Sequence, residues 1–195
     1  MLLGNTVPVD ASVQPGSRIA RRVVSSARLY HMAIRSWASD DMPSPPIAIR
    51  TLWPQHCLII RSCVPLSAIA ITVRDSIDRI KPHSAAAGGV LVGAPFARVV
   101  EHRGQTVTLE AGLRVMMPVA GADGIEASML PGGRVAVAIH TEPHAQLPDT
   151  YAALENWLVA EGEVPAGPAW EAYVTDPADQ ANPAKWRTEI FQPLG

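Results

Sequence analysis

One ordering of elements, read twice along the chain, constrains the fold more than any other feature. From Pro46, "IAIRTL" and "HCLIIRS" are apolar, β-branched runs separated by the breaker "WPQ", and each reads as a strand. "VPLSAIAITVRDSIDRIKP" then sets Leu66, Ile69, Ala70, Val73, Ile77 and Ile80 on one helical face, with Pro65 near its start and Pro82 as its stop. "GGVLVGAP" reads as a turn-rich connector, and "FARVVEH" and "LRVMMPV" as strands joined through "RGQTVTLEAG". The second half follows suit. "GIEASML" and "RVAVAIHT" are strands around the turn "PGG", and "LPDTYAALENWLVAEG" is a helix with Leu147, Tyr151, Leu154, Trp157 and Leu158 on one face. Asp149 suits its N-terminal end and Gly162 its C-terminal stop, before the strands "AWEAYVT" and "TEIFQPL".

Strand, strand, helix, strand, strand thus occurs at about 46–119 and again at about 125–194. A gapless match supports the repeat. "VGAPFARVV" (92–100) on "AGPAWEAYV" (166–174) sets Gly93 on Gly167, Phe96 on Trp170 and Ala97 on Glu171. The expectation is one α+β domain, a tandem duplication of this unit with pseudo-twofold symmetry, two helices covering antiparallel sheets and a central cleft between the halves. A chain of 195 residues, 48% hydrophobic, has the size and content for a single core of that kind.

Residues 1–41 stand apart. They carry five arginines against three aspartates, with helical spacing too loose to define an element. They read as an irregular or disordered extension outside the domain at 42–195, with Met42 as an alternative start; the Arg- and Ser-rich composition also passes for a transit peptide. The remaining 154 residues hold 11 basic and 15 acidic groups, a body better suited to cations than to nucleic acid. Cys57 and Cys63 lie too far apart on one extended strand to bridge, so an oxidising compartment gets no support from them. No apolar run approaches the roughly 18 residues of a membrane helix. A cytoplasmic protein without membrane attachment or cofactor is the expectation.

The second-repeat strand "GPAWEAYVTD" poses the functional question. Side chains alternate along a strand, so Glu171 and Tyr173 share one face while Trp170 and Ala172 share the other. Pattern alone puts Trp170 inside and Glu171 in water, because a glutamate is rarely buried without a partner. The reverse placement has a use: a carboxylate desolvated among rings rewards a ligand that brings positive charge together with apolar groups.

The segment "LPGGRVAVAIHTEPHAQLPDTYAALENWLVAEGEVPAGPAWEAYVTDP" with "TEIFQPL" resembles the second half of the GyrI-like small-molecule-binding domain, the effector-binding domain of AraC-type and MerR-type drug-responsive regulators. "RTLWPQHCLIIRSCVPLS" resembles that family's opening strands, so the likeness spans about Pro46 to Leu194. The resemblance implies that Glu171 is the pocket carboxylate, with Tyr173, Trp170 and Tyr151 as ring contributors; Phe96, aligned with Trp170, and Met117 are further candidate ligand contacts. Where family members commonly carry Gly-Pro-Tyr, this chain reads Glu142, Pro143, His144, and no helix-turn-helix pattern precedes the domain.

Other polar residues carry less. The "HTEPH" stretch from His140 to His144 has no third ligand at metal-site spacing, and "GGVLVG" lacks the lysine of a phosphate loop. Glu110 could line the cleft, with turn-flanking exposure the plainer account, and Met116 has the character of core packing. Three functions follow from the resemblance. The first is a free-standing protein that senses or sequesters lipophilic, cationic or toxic compounds. The second is a hydrolase of electrophilic molecules with Glu171 as general base and Tyr173 as its partner, and the third is a protein inhibitor of DNA gyrase.

Overall fold

The computed structural model describes residues 46–175 and 179–195, so the expectations for residues 1–41 lie outside the described residues. The elements run β1 (Ile47–Leu52), β2 (Gln55–Pro65), α1 (Ile69–Ala86), β3 (Leu91–Arg103) and β4 (Thr106–Val115) in the first half. They continue with β5 (Glu126–Leu130), β6 (Gly133–His140), α2 (Leu147–Glu161), β7 (Trp170–Tyr173) and β8 (Thr188–Pro193). The strands form one antiparallel sheet in the order β1-β6-β8-β7-β3-β4-β2-β5. Exchanging β1–β4 for β5–β8 in that order returns the same order reversed. The halves meet at β3 and β7, where Ala97 stands opposite Glu171.

Two short connectors force this sheet to curl. In the strand order β1 and β2 are six spacings apart, as are β5 and β6, about 29 Å in a flat sheet at roughly 4.8 Å per strand. Only Trp53 and Pro54 join the first pair and Pro131 and Gly132 the second, and such a link spans at most ~11 Å. The sheet therefore folds over until the two links touch: a Cβ on Gly132 would fall 2.5 Å from Pro54 Cδ. Glycine is required at 132 by this close approach.

Curling gives the sheet two buried faces. On the helix-free face, Cys57, Ile59, Phe96, Leu130, Val135, Val137, Trp170, Ala172 and Phe191 close on one another, with Trp170 stacked on Phe191 at 5.1 Å. On the other face, α1 buries Ile77 and Ile80 against Leu58, Ile60, Leu113 and Val115. There α2 buries Leu147, Leu154 and Leu158 against Ala136, Ala138 and Ile190. Strands β3 and β7 occupy the middle, between the areas covered by the two helices.

Three sequence expectations are corrected. Pro82 does not stop α1, which runs through it to Ala86. A proline costs the helix one backbone bond, and the last turn is closed by the Ala87 N–H donating to the His83 carbonyl at 3.0 Å and the Gly89 N–H to the Ser84 carbonyl at 2.7 Å. The "GGVLVGAP" connector is largely strand: β3 starts at Leu91, with Gly93 at φ 69° and a register break between Val92 and Phe96 that marks a bulge. The fourth strand is "TVTLEAGLRV", so Met116 and Met117 lie past its end, 60% and 68% exposed.

Candidate functional site

The site grows from the alternation on β7. Trp170 and Ala172 point into the curl, and Glu171 and Tyr173 point to the helix-bearing face. Glu171 is flanked in the sheet by Ala97 of β3 and Ile190 of β8. Ala97 is small, and beyond it the floor is apolar, with Val107 and Leu109 of β4 packing with Ile69 and Val73 from α1. From the other side, α2 contributes Tyr151, one turn after Leu147 and one before Leu154 on its buried stripe.

Each carboxylate oxygen of Glu171 takes one phenol. The Tyr151 hydroxyl donates to Oε1 at 2.9 Å and the Tyr173 hydroxyl to Oε2 at 2.9 Å. Burial pushes the Glu171 carboxyl above the ordinary glutamate value, and the two phenol hydrogen bonds pull it partway back. Among the described residues no lysine, arginine or histidine forms an ion pair with it. Among the described residues the carboxyl is thus met by neutral donors and by no counter-ion.

The ring surface continues past Tyr173. His144 meets Tyr173 edge-on at 5.7 Å, and Trp186 lies 5.7 Å beyond His144. Trp186 is anchored by its indole N–H donating to the Gln180 carbonyl at 2.7 Å. The loop that carries His144 is tied down by buried His140, whose ring nitrogens bond the Thr150 hydroxyl at 2.8 Å and the Pro143 carbonyl at 3.2 Å. Burial, and to a smaller degree His140, lowers the His144 pKa, so this ring is neutral in neutral solution.

Of the six residues singled out from sequence, Glu171, Tyr173 and Tyr151 come together. Trp170 and Phe96 do not: both are buried on the helix-free face, with the sheet between them and the carboxylate. Met117 sits beyond β4, six residues along the chain from Ala111, the neighbour of Ala97. Glu110 neither lines the cleft nor meets water. It is 2% exposed inside the curl, where it accepts from Arg61 at 2.7 Å and from Arg98. His144 and Trp186 were missed, and the one signal was the ring-bearing residue that this chain places in the Glu-Pro-His loop. The "HTEPH" stretch uses its two histidines for packing and loop anchoring, and among the described residues no three acidic, cysteine or histidine side chains form a metal-ligating cluster.

The sequence profile of the GyrI-like small molecule binding domain matches residues 45–194. The chain belongs to the GyrI-like family. No curated protein matches it in sequence. Among solved structures, the C-terminal domain of EcmrR superposes with a TM-score of 0.69 at 20% identity, over 77% of this chain and 98% of that domain. SAV2435 bound to tetraphenylphosphonium gives 0.54 at 14%, over 77% and 94%. A hydrolase from Listeria innocua gives 0.52 at 15%, over 80% and 94%. At such identities the likeness is one of fold, and this GyrI-like domain shares its curled antiparallel sheet with two helices. Among the described residues no helix is long and apolar enough to cross a membrane.

Proposed function

We propose that this GyrI-like domain binds lipophilic cations in a cleft between α1 and α2, with Glu171 as the counter-charge. The observation that carries this reading is a desolvated carboxylate satisfied only by the Tyr151 and Tyr173 hydroxyls among the described residues. A cation with apolar substituents gains the charge interaction and buries its body against Val99, Ile69, Val73 and the ring surface, whereas an anion is repelled. SAV2435, a structural relative with a bound phosphonium, supports the same ligand class. The palindromic strand order, and the opposition of Ala97 to Glu171 at its centre, support a tandem duplication with the site on its pseudo-twofold axis.

Tetraphenylphosphonium and neutral triphenylphosphine oxide test it by calorimetry. Glu171→Gln weakens the cation by ~1–3 kcal/mol, the scale of a desolvated charge interaction, and leaves the neutral compound nearly unchanged. Equal losses for both, or none for the cation, reject the counter-charge role.

The contact of Tyr173 with Glu171 also favours a second reading, hydrolysis of electrophilic compounds with Glu171 as general base. Protein-dependent turnover of a strained or activated substrate that vanishes in Glu171→Gln is its signature. No turnover across an electrophile panel removes it.

A further inference from the structure

A second recess opens at the end of the sheet where β4 finishes. It is an open depression of about 310 Å³, lined by Pro54, Gln55, His56, Val92, Arg114 and Met116 among others. That volume is at the lower end of the range for small-molecule sites, about 300–1,000 Å³.

Its polar group is a guanidinium. Arg61, Arg98, Arg103, Arg134 and Arg187 each have a carboxylate within 4.0 Å; among the described arginines without one, Arg50, Arg74 and Arg79 are exposed and Arg114 is half-buried. Instead Arg114 Nη1 donates to Gln55 Oε1 at 2.9 Å, a neutral acceptor that orients the fork without cancelling its charge. The β3 bulge makes the space: a Cβ on Gly93 would fall 1.8 Å from Arg114 Nη2, so the guanidinium lies where only a glycine leaves room. Around it, Pro54, Val92 and Met116 supply an apolar wall, with Met116 60% exposed and free to adapt.

We propose that this recess is a second binding site, selective for organic anions: a carboxylate or sulfonate head on the Arg114 fork and an apolar, ring-bearing body against Pro54, Val92 and Met116. Its charge preference is opposite to that of the Glu171 cleft, so the two are separable by ligand and by variant.

Fluorescence titration of the full chain with 8-anilinonaphthalene-1-sulfonate, beside its neutral ring analogue N-phenyl-1-naphthylamine, tests the site. The sulfonate binds one-to-one. Arg114→Gln weakens it at least ~tenfold, the loss expected for one charge-assisted hydrogen bond, while the neutral analogue changes less than about twofold. Should Arg114→Gln fail to fold by thermal melting, Gln55→Ala replaces it: releasing the fork lowers sulfonate affinity several-fold. Absence of saturable sulfonate binding overturns the proposal, as does an affinity indifferent to both variants or an equal loss of the anionic and neutral probes.

Discussion

Deleting a single oxygen atom probes the Glu171 site most directly. Tyr173→Phe and Tyr151→Phe each keep the ring and remove one hydroxyl that donates at 2.9 Å to the carboxylate. Because burial raises the folded-state pKa of Glu171, the native protein retains a proton that the unfolded chain has already released. That difference makes this residue's contribution most favourable below the unfolded glutamate range, and it declines as pH rises through the folded-state pKa. The hydroxyls limit the decline by solvating the ionised form. A hydrogen bond to a charged group contributes about 1.5–3 kcal/mol and one between neutral groups about 0.5–1.5 kcal/mol. Each phenylalanine variant is therefore destabilised by about 1.5–3 kcal/mol above the folded-state pKa, where the carboxyl is ionised, and by about a third to a half of that below it. For a chain of this length the melting temperature falls by ~3–12 °C on the alkaline side and by ~1–6 °C on the acid side. Thermal denaturation by circular dichroism across a pH series, with Glu171→Gln as background, reads both figures. Losses that do not change with pH refute the reasoning, since they assign the hydroxyls to packing alone. So does a variant pair whose melting is untouched.

Glu171→Gln itself removes a group that opposes folding when ionised, so its melting temperature exceeds that of the parent by more as pH rises and the gain shrinks as pH falls; a gain larger at acid pH contradicts the raised pKa. Glu110→Ala strips the counter-charge from Arg98, 14% exposed inside the curl, and costs about 3–5 kcal/mol in urea unfolding, against well under that for an exposed acid. Trp170→Ala empties a fully packed position stacked on Phe191 and costs about 3–5 kcal/mol, measured the same way. A chain beginning at Met42 melts within about 2 °C of the full chain if residues 1–41 lie outside the domain, a shift of no more than about 1 kcal/mol; a larger drop places them in it.

What was legible in the sequence tracks how local each decision is. Helix α2, with its apolar stripe and Gly162 at φ 70°, and the strands β6 and β8 follow from period and breakers alone. β3 was cut short because Gly93 and Pro95 look like punctuation, whereas in a bulge they bend a strand that continues. The curl itself is set by strand order, a nonlocal property that no window of residues displays. That omission explains the misplaced side chains. Alternation on β7 correctly separates Glu171 from Trp170, but a choice between one inside and one in water assumes a sheet with a wet face. β7 is closed by the curl on one side and on the other lies between the two helices, so Trp170 is buried and Glu171 is half-buried rather than in open water. Glu110 on β4 was misread for the same reason.

Under the proposed function, the two faces of this sheet divide the work between stability and recognition. Inside the curl, charge is cancelled: Glu110 has two arginines, and the remaining surface is closed by Phe96, Trp170 and Phe191. On the helix-bearing face, charge at the centre is left with neutral donors, and the position opposite it is Ala97, which adds neither volume nor a counter-ion. Residues paired across a twofold axis face the same side of the sheet, so a second carboxylate at 97 would set like charges a few ångströms apart and force one to stay protonated. An arginine there would fill the space and neutralise Glu171. Alanine is the choice that keeps one uncompensated acid at the meeting of two similar halves. Under the proposed function, the frame of two similarly ordered halves supplies the rigid floor, while the asymmetry of a single pair, Ala97 and Glu171, supplies the preference for positive charge.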